Sequence, residues 1–198
     1  MSQITRISDC SETFGVDKDN YLTSTKGSKL PELWLGASGS ETQVSATASE
    51  INSVAKTSSR LVNHTAATLT LSEALHGNKI VTVNKADGTA ITLPAATGGG
   101  SQFELFIGTT ITSVGSTIKV ANSSDTMVGF VTQFADGGTT VVSYEISGTD
   151  DTITLDGSTK GGIKGDKILL TDIAVNLWSV EVKVSATGTE ASPMSATV

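Results

Sequence analysis

The chain has 198 residues, of which 37% are hydrophobic, with 20 glycines, 30 threonines and 25 serines; this is length for one well-buried core, in a composition that favours strands and turns over helices. A net charge of −7 with no Lys/Arg block argues against nucleic acid as a partner, and no segment approaches the roughly 18 apolar residues of a membrane span. The start, MSQITRISDCSETFG, carries no apolar run of signal-peptide length, so synthesis and folding in cytoplasm are expected.

Residues 1–45 show no sustained period and are rich in Ser, Thr, Gly and Asp. They read as an extended N-terminal arm with one apolar cluster, LPELWLG, holding Leu30, Leu33, Trp34 and Leu35. A segment that cannot bury its own apolar surface is ordered by something else. Trp34 either folds back on the rest of the chain or anchors in the groove of a partner. Cys10, the single cysteine, has no intramolecular partner for a disulfide.

Residues 46–63 are expected to hold one short helix. Thr47 with Glu50 has the form of a capping box. Ile51, Val54, Ala55, Ser58, Leu61 and Val62 then recur at spacings of three and four, along one stripe. An isolated helix of this length is marginal in water, so the stripe must be covered. Ile51, Val54, Ser58 and Leu61 fit the a and d positions of a coiled-coil seam, and the same pattern fits a helix packed on its own body.

From Thr68 the period becomes two. The runs TLTL, KIVTV, AITL, QFELFI, TIKVA, VVSYEI, TITL, KILLTDI and WSVEVKVSA are strand-length, and most alternate. Between them stand Asp87-Gly88, Gly98-Gly99-Gly100, Asp136-Gly137-Gly138, Asp156-Gly157 and Gly161-Gly162, residue types that supply tight-turn geometry. The expected fold is mainly β, an antiparallel β-sandwich or jelly roll over residues 64–198, preceded by the short helix and the arm. Phe103, Phe106, Phe130, Phe134 and Trp178 are its expected core aromatics.

Chemistry is sparsely marked. His64 and His76 have no further His or Cys at ligand spacing. Asp150, Asp151 and Asp156 form an acidic cluster without the spacing of a calcium loop, and read as a solvated loop. There is no nucleophile elbow, P-loop or dinucleotide fingerprint. The expectation is a protein that is not an enzyme and takes no cofactor.

VSATASEINSV resembles the TA-A-E-(I/L)-N phrase common in tailed-phage fibre and virion structural proteins. ITLPAATGGGSQFELFIGTTITS, DTITLDGSTKGGIKGDKILLTDI and the tail SATGTEASPMSATV likewise resemble a domain of phage head-fibre or capsid-decoration proteins, and together these cover roughly residues 44–198. The resemblance implies a non-enzymatic virion structural protein, made in the host cytoplasm and placed on the outer capsid surface. It implies a homotrimer whose partner is the major capsid protein, joined at the helix through Ile51, Val54, Ser58 and Leu61. Leu30, Leu33, Trp34 and Leu35 would then serve as the capsid attachment. A receptor- or carbohydrate-binding tail-fibre module, with a host-surface glycan as partner, is the alternative class.

Overall fold

In Gln102–Ile107 the side chains of Phe103, Leu105 and Ile107 are buried and those between them are not; in Leu177–Ala186 the same alternation buries Trp178, Val180, Val182, Val184 and Ala186. That period of two, repeated strand after strand, builds the molecule. A computed structural model describes residues 60–198 and four short strands before them. Of these four, β1 (Phe14–Val16) pairs antiparallel with β2 (Leu22–Ser24), and β3 (Trp34–Leu35) with β4 (Thr42–Gln43). Met1–Ile51 and Asn52–Val198 are separate units.

The second unit runs β5 (Leu61–His64), β6 (Thr68–Thr70), a single helical turn α1 (Glu73–His76), β7 (Lys79–Val83), β8 (Ala90–Thr92), β9 (Gln102–Ile107), β10 (Ser116–Lys119), β11 (Thr126–Ala135), β12 (Thr140–Asp150), β13 (Thr152–Leu155), β14 (Lys167–Ala174), β15 (Leu177–Ala186) and β16 (Met194–Ser195). All nine runs named from the sequence coincide with strands. β11 had no alternating signal of its own, because Gly129 interrupts it and Gln133 occupies an inward position.

The strands form two sheets, ordered β12-β11-β15-β14-β9-β7-β5 and β16-β13-β10-β8-β6. Both are mixed, which corrects the antiparallel expectation. From β5 to β10 the chain passes to the other sheet at every strand, so each strand returns beside its predecessor in the same direction. β5, β7 and β9 are parallel neighbours in one sheet, as are β6, β8 and β10 in the other. A parallel pair needs a crossover connection, commonly a helix; here the crossover is a strand of the opposite sheet. The later strands add antiparallel pairs, β11 with β12, β14 with β9 and β15, β13 with β10 and β16, and one long parallel pair, β11 with β15.

One hydrophobic cluster draws on both sheets, with Ile91, Ile118, Ile153 and Leu155 from one and Val81, Phe103, Leu105, Met127, Ile168, Leu170 and Trp178 from the other. Phe103 and Trp178 are the aromatic pair at its centre, ring centroids 5.9 Å apart. Phe130 and Phe134 are not core: they are 69% and 42% exposed, while Val131 and Gln133 beside them point inward. The amide of Gln133 is held there by donating to the carbonyls of Ala191 (3.1 Å) and Thr159 (3.4 Å). Phe106 is half-buried.

Loops are tied down by carboxylates. Asp172 accepts from the amides of Thr97 (3.0 Å), Gly98 (2.7 Å) and Gly99 (3.1 Å) and from the Thr97 hydroxyl (2.9 Å). Asp166 takes the amides of Gly162, Ile163 and Ser185. Asp156 closes its own turn on Ser158, Thr159 and Lys160. Asp151 grips the C-terminal residues through the amides of Thr197 (2.7 Å) and Val198 (3.1 Å). The expected solvated cluster at Asp150, Asp151 and Asp156 is therefore three separate fastenings, since Asp150 holds the Ser147 amide and Asp151 is buried. For Asp151, Asp156 and Asp172, burial pushes the carboxyl up, but the donors outweigh it and hold each group below its ordinary value. In Asp166 burial prevails and the carboxyl is pushed up.

Candidate functional site

Leu61 opens β5, paired parallel with β7, and is 59% exposed. The helix expected over 46–63 therefore does not reach its end: Leu61, Val62 and Asn63 are strand, because β5 takes its hydrogen bonds from the edge of β7. Ile51, Val54 and Ser58, the other seam positions, lie outside the described residues. So do Leu30 and Leu33 of the expected attachment; Trp34 and Leu35 are β3, opposite Gln43 and Thr42.

Among the described residues, the outer face of the seven-stranded sheet presents exposed apolar side chains, Ile80, Phe130 and Phe134 among them. Strand register lines up one row across all seven strands: Glu145, Phe130, Glu181, Leu169, Glu104, Ile80 and Leu61. Carboxylates and apolar side chains alternate along most of it. The next row carries Lys183 and Lys167 side by side, and each lysine reaches back to the first. Lys167 Nζ meets Glu104 at 2.5 Å and Lys183 Nζ meets Glu181 at 2.7 Å. At such exposure each pair contributes about 0–1 kcal/mol. Their effect is rather to fix where charge sits on the face. At the β12 edge Phe134 lies opposite Val141, which is 53% exposed, so the apolar part of the surface gathers there.

Two shallow hollows mark the same face. One, of about 110 Å³, lies among Glu104, Lys167, Leu169, Glu181 and Lys183. The other, of about 160 Å³, is rimmed by Arg60, Asn78, Lys79, Gln102 and Glu104 over Ile80 and Leu169. Neither gathers the nucleophile, base and oriented third group of a covalent catalyst. Among the described residues no three His, Cys, Asp or Glu side chains come together as a metal site.

The histidines are used locally. His64 Nε2 lies 3.0 Å from the carbonyl of Ala66. His76 is buried in α1, and its Nδ1 accepts the amide of Ser72 at 3.0 Å. Only an unprotonated Nδ1 can accept. Burial pulls the imidazole below its ordinary value, and the charges of Lys79 and His64 add to this. The stabilisation is therefore complete above about pH 6.5, and is lost as pH falls through the lowered value. A net hydrogen bond of about 1 kcal/mol corresponds to about 2–4 °C in a chain of this size. Melting temperature is expected to fall by that amount between pH 7 and 5, and the fall to be absent in His76→Gln; a profile identical in the two proteins would remove His76 as its cause.

No protein-family model matches this chain, and neither does any curated protein or solved structure. Sequence reasoning missed the sheet face because its members come from seven strands and meet only through register. The usable signal was the strict outward alternation of Glu104, Leu169 and Glu181 within runs whose inward positions were plainly apolar.

Proposed function

We propose that this chain is a non-enzymatic structural protein of a tailed-phage virion, a capsid decoration protein or short head fibre on the outer capsid surface, with its two sheets packed as a β-sandwich. The observation that carries the reading is how the polar chemistry of the body is spent. Asp151, Asp156, Asp166 and Asp172 are each engaged by two or more backbone amides that fix loops and the C-terminal residues. Loops are where sites for reaction and recognition are generally carried. Fastened in this way they favour a rigid body that presents surface. The broad face of alternating carboxylate and apolar side chains suits lateral contact in an assembly, and the net charge of −7 suits an outward-facing protein with no genome to neutralise. The phage phrases in the sequence supply the assembly.

In this reading the major capsid protein is held by residues 1–45, through Leu30, Leu33, Trp34 and Leu35. Burying a Trp or Leu in a partner groove is worth roughly 1.5–3 kcal/mol per side chain. Since the described core is closed among residues of the second unit, deleting 1–45 is expected to leave a soluble, folded body that no longer decorates stripped capsids. Trp34→Ala should weaken decoration with little change in melting temperature. If the truncated protein binds capsids as tightly as the full chain, attachment lies on the body. Cleavage of a host polysaccharide by the purified chain would overturn the non-enzymatic reading.

One observation favours the tail-fibre alternative. The hollow rimmed by Arg60, Asn78, Lys79, Gln102 and Glu104 over Ile80 and Leu169 offers planar polar groups above an apolar floor, the combination a sugar ring uses. Glycan binding that is abolished by Asn78→Ala with Gln102→Ala would establish that class instead.

A further inference from the structure

The two sheets end in four edge strands, and three of them are very short: β5 has four residues, β6 three and β16 two. Short edges are a standard protection against pairing with another chain. β12 is the exception, with 11 residues, TVVSYEISGTD, that contain no Pro, Lys or Arg. It is hydrogen-bonded to β11 on one side, and among the described residues its other side has no strand neighbour. The exposed apolar side chains Phe130, Phe134 and Val141 gather beside it. On the inner face Val142 and Tyr144 are only half-buried, although Tyr144 packs against the core cluster.

We propose that β12 is an interaction surface for a second copy of this chain, the two β12 edges pairing antiparallel about a two-fold axis at Ser143. The sequence of the strand selects both occupant and register. The ladder to β11 is regular from Thr140 to Ser147 and then shifts, with Met127 opposite Asp150, so the midpoint of the straight edge falls between Ser143 and Tyr144; of these two, an axis on Ser143 is the one that sets the half-buried Val142 and Tyr144 against each other. Pairing about that residue sets Ser143 against its own copy, Val142 against Tyr144, and Val141 against Glu145. No like charges meet, and residues directly opposite lie on the same face. Half-buried Val142 and Tyr144 become covered. On the outer face Phe134 and Val141 of one copy continue into Glu145 and Phe130 of the other, so that the row passes through the seam and an apolar side chain faces each carboxylate there. A shift of register by four residues, which centres the axis on Glu145, would bring two carboxylates together. This inference does not depend on the virion reading, since it rests on the edge alone.

The test is the mass of the full chain in solution by sedimentation. Wild type is expected to associate through β12. Ser143→Lys and Ser143→Glu, each placing like charges on the axis, should each lower the mass to half while keeping the wild-type circular dichroism. An equimolar mixture of the two should restore it, because Lys then faces Glu. In a Cys10→Ser background, Ser143→Cys should form a covalent dimer on oxidation, since directly opposite Cα atoms about 4.5–5.5 Å apart fall within disulfide range. A wild-type chain that is monomeric at all concentrations, an assembly such as a trimer whose mass both charge variants leave unchanged, a mixture that stays at half mass, or no covalent dimer would each overturn the proposal.

Discussion

Asp172→Ala is expected to cost the body about 2–4 kcal/mol. The carboxylate receives three backbone amides and one hydroxyl from Thr97, Gly98 and Gly99. Hydrogen bonds to a charged group are worth roughly 1.5–3 kcal/mol each, and here the acceptor is buried while the donor residues Thr97, Gly98 and Gly99 are exposed. They do not add in full, since water enters the space left behind. The Gly98–Gly100 run is bent around this carboxylate, with both end glycines at positive φ, and its remaining ties are backbone ones, Gly100 to the Asp172 carbonyl and Thr97 bridged to Val175. Denaturant unfolding at pH 7 should show the loss with the slope unchanged. The same experiment at falling pH separates the carboxylate from its volume. Because the net effect of burial and amides holds Asp172 below its ordinary value, its contribution is complete above about pH 4 and is lost as pH falls through the lowered value. The gap between wild type and Asp172→Ala should therefore narrow with acid. A gap that stays constant would assign the loss to packing.

Gly129→Ala should be comparably damaging, at about 3 kcal/mol or more, though nothing polar is removed. Gly129 stands within β11 at φ 140, opposite Val180 of β15, and a Cβ there would lie 2.0 Å from the Val180 carbonyl oxygen. The substitution adds the strain of a conformation that residues with a Cβ rarely adopt to a clash with backbone that cannot swing aside. β11 must then separate from β15 near Val180. The hairpin of β11 and β12 hangs on the sheet by that one pairing. Hydrogen exchange should accordingly speed in β11 and β12 while β9, β14 and the second sheet keep their protection. Equal loss of protection throughout would mean that the hairpin is not a separable part of the body.

Strand positions were legible because burial on one face writes itself as a period of two: QFELFI and WSVEVKVSA place Phe103, Trp178 and Val182 in the core by alternation alone. Strand partners were not. A turn containing Asp136-Gly137-Gly138 closes a hairpin between β11 and β12, whereas the connection through Asp87-Gly88 carries the chain from one sheet to the other. The same residue types serve both, so antiparallel hairpins were expected where crossings occur. The inward Gln133 and outward Phe134 reverse what hydrophobicity dictates; only the anchoring of that amide by Thr159 and Ala191, distant in sequence, makes the register affordable. The carboxylate fastenings were invisible for a related reason, since Asp172 and its donors at Thr97 lie 75 residues apart. Asp156, whose donors follow within four residues, was readable as a turn. Of the expected seam and attachment residues, Leu61 fell on a strand edge because β7 offered it hydrogen bonds, which outweigh a short helical stripe.

The virion reading is tested most directly by electron microscopy of intact particles encoded by the genome that carries this chain. The account predicts density for the two-sheet body outside the shell, joined to the major capsid protein through residues 1–45. Particles that lack the chain altogether, or that carry it only within the tail or inside the capsid, would contradict it.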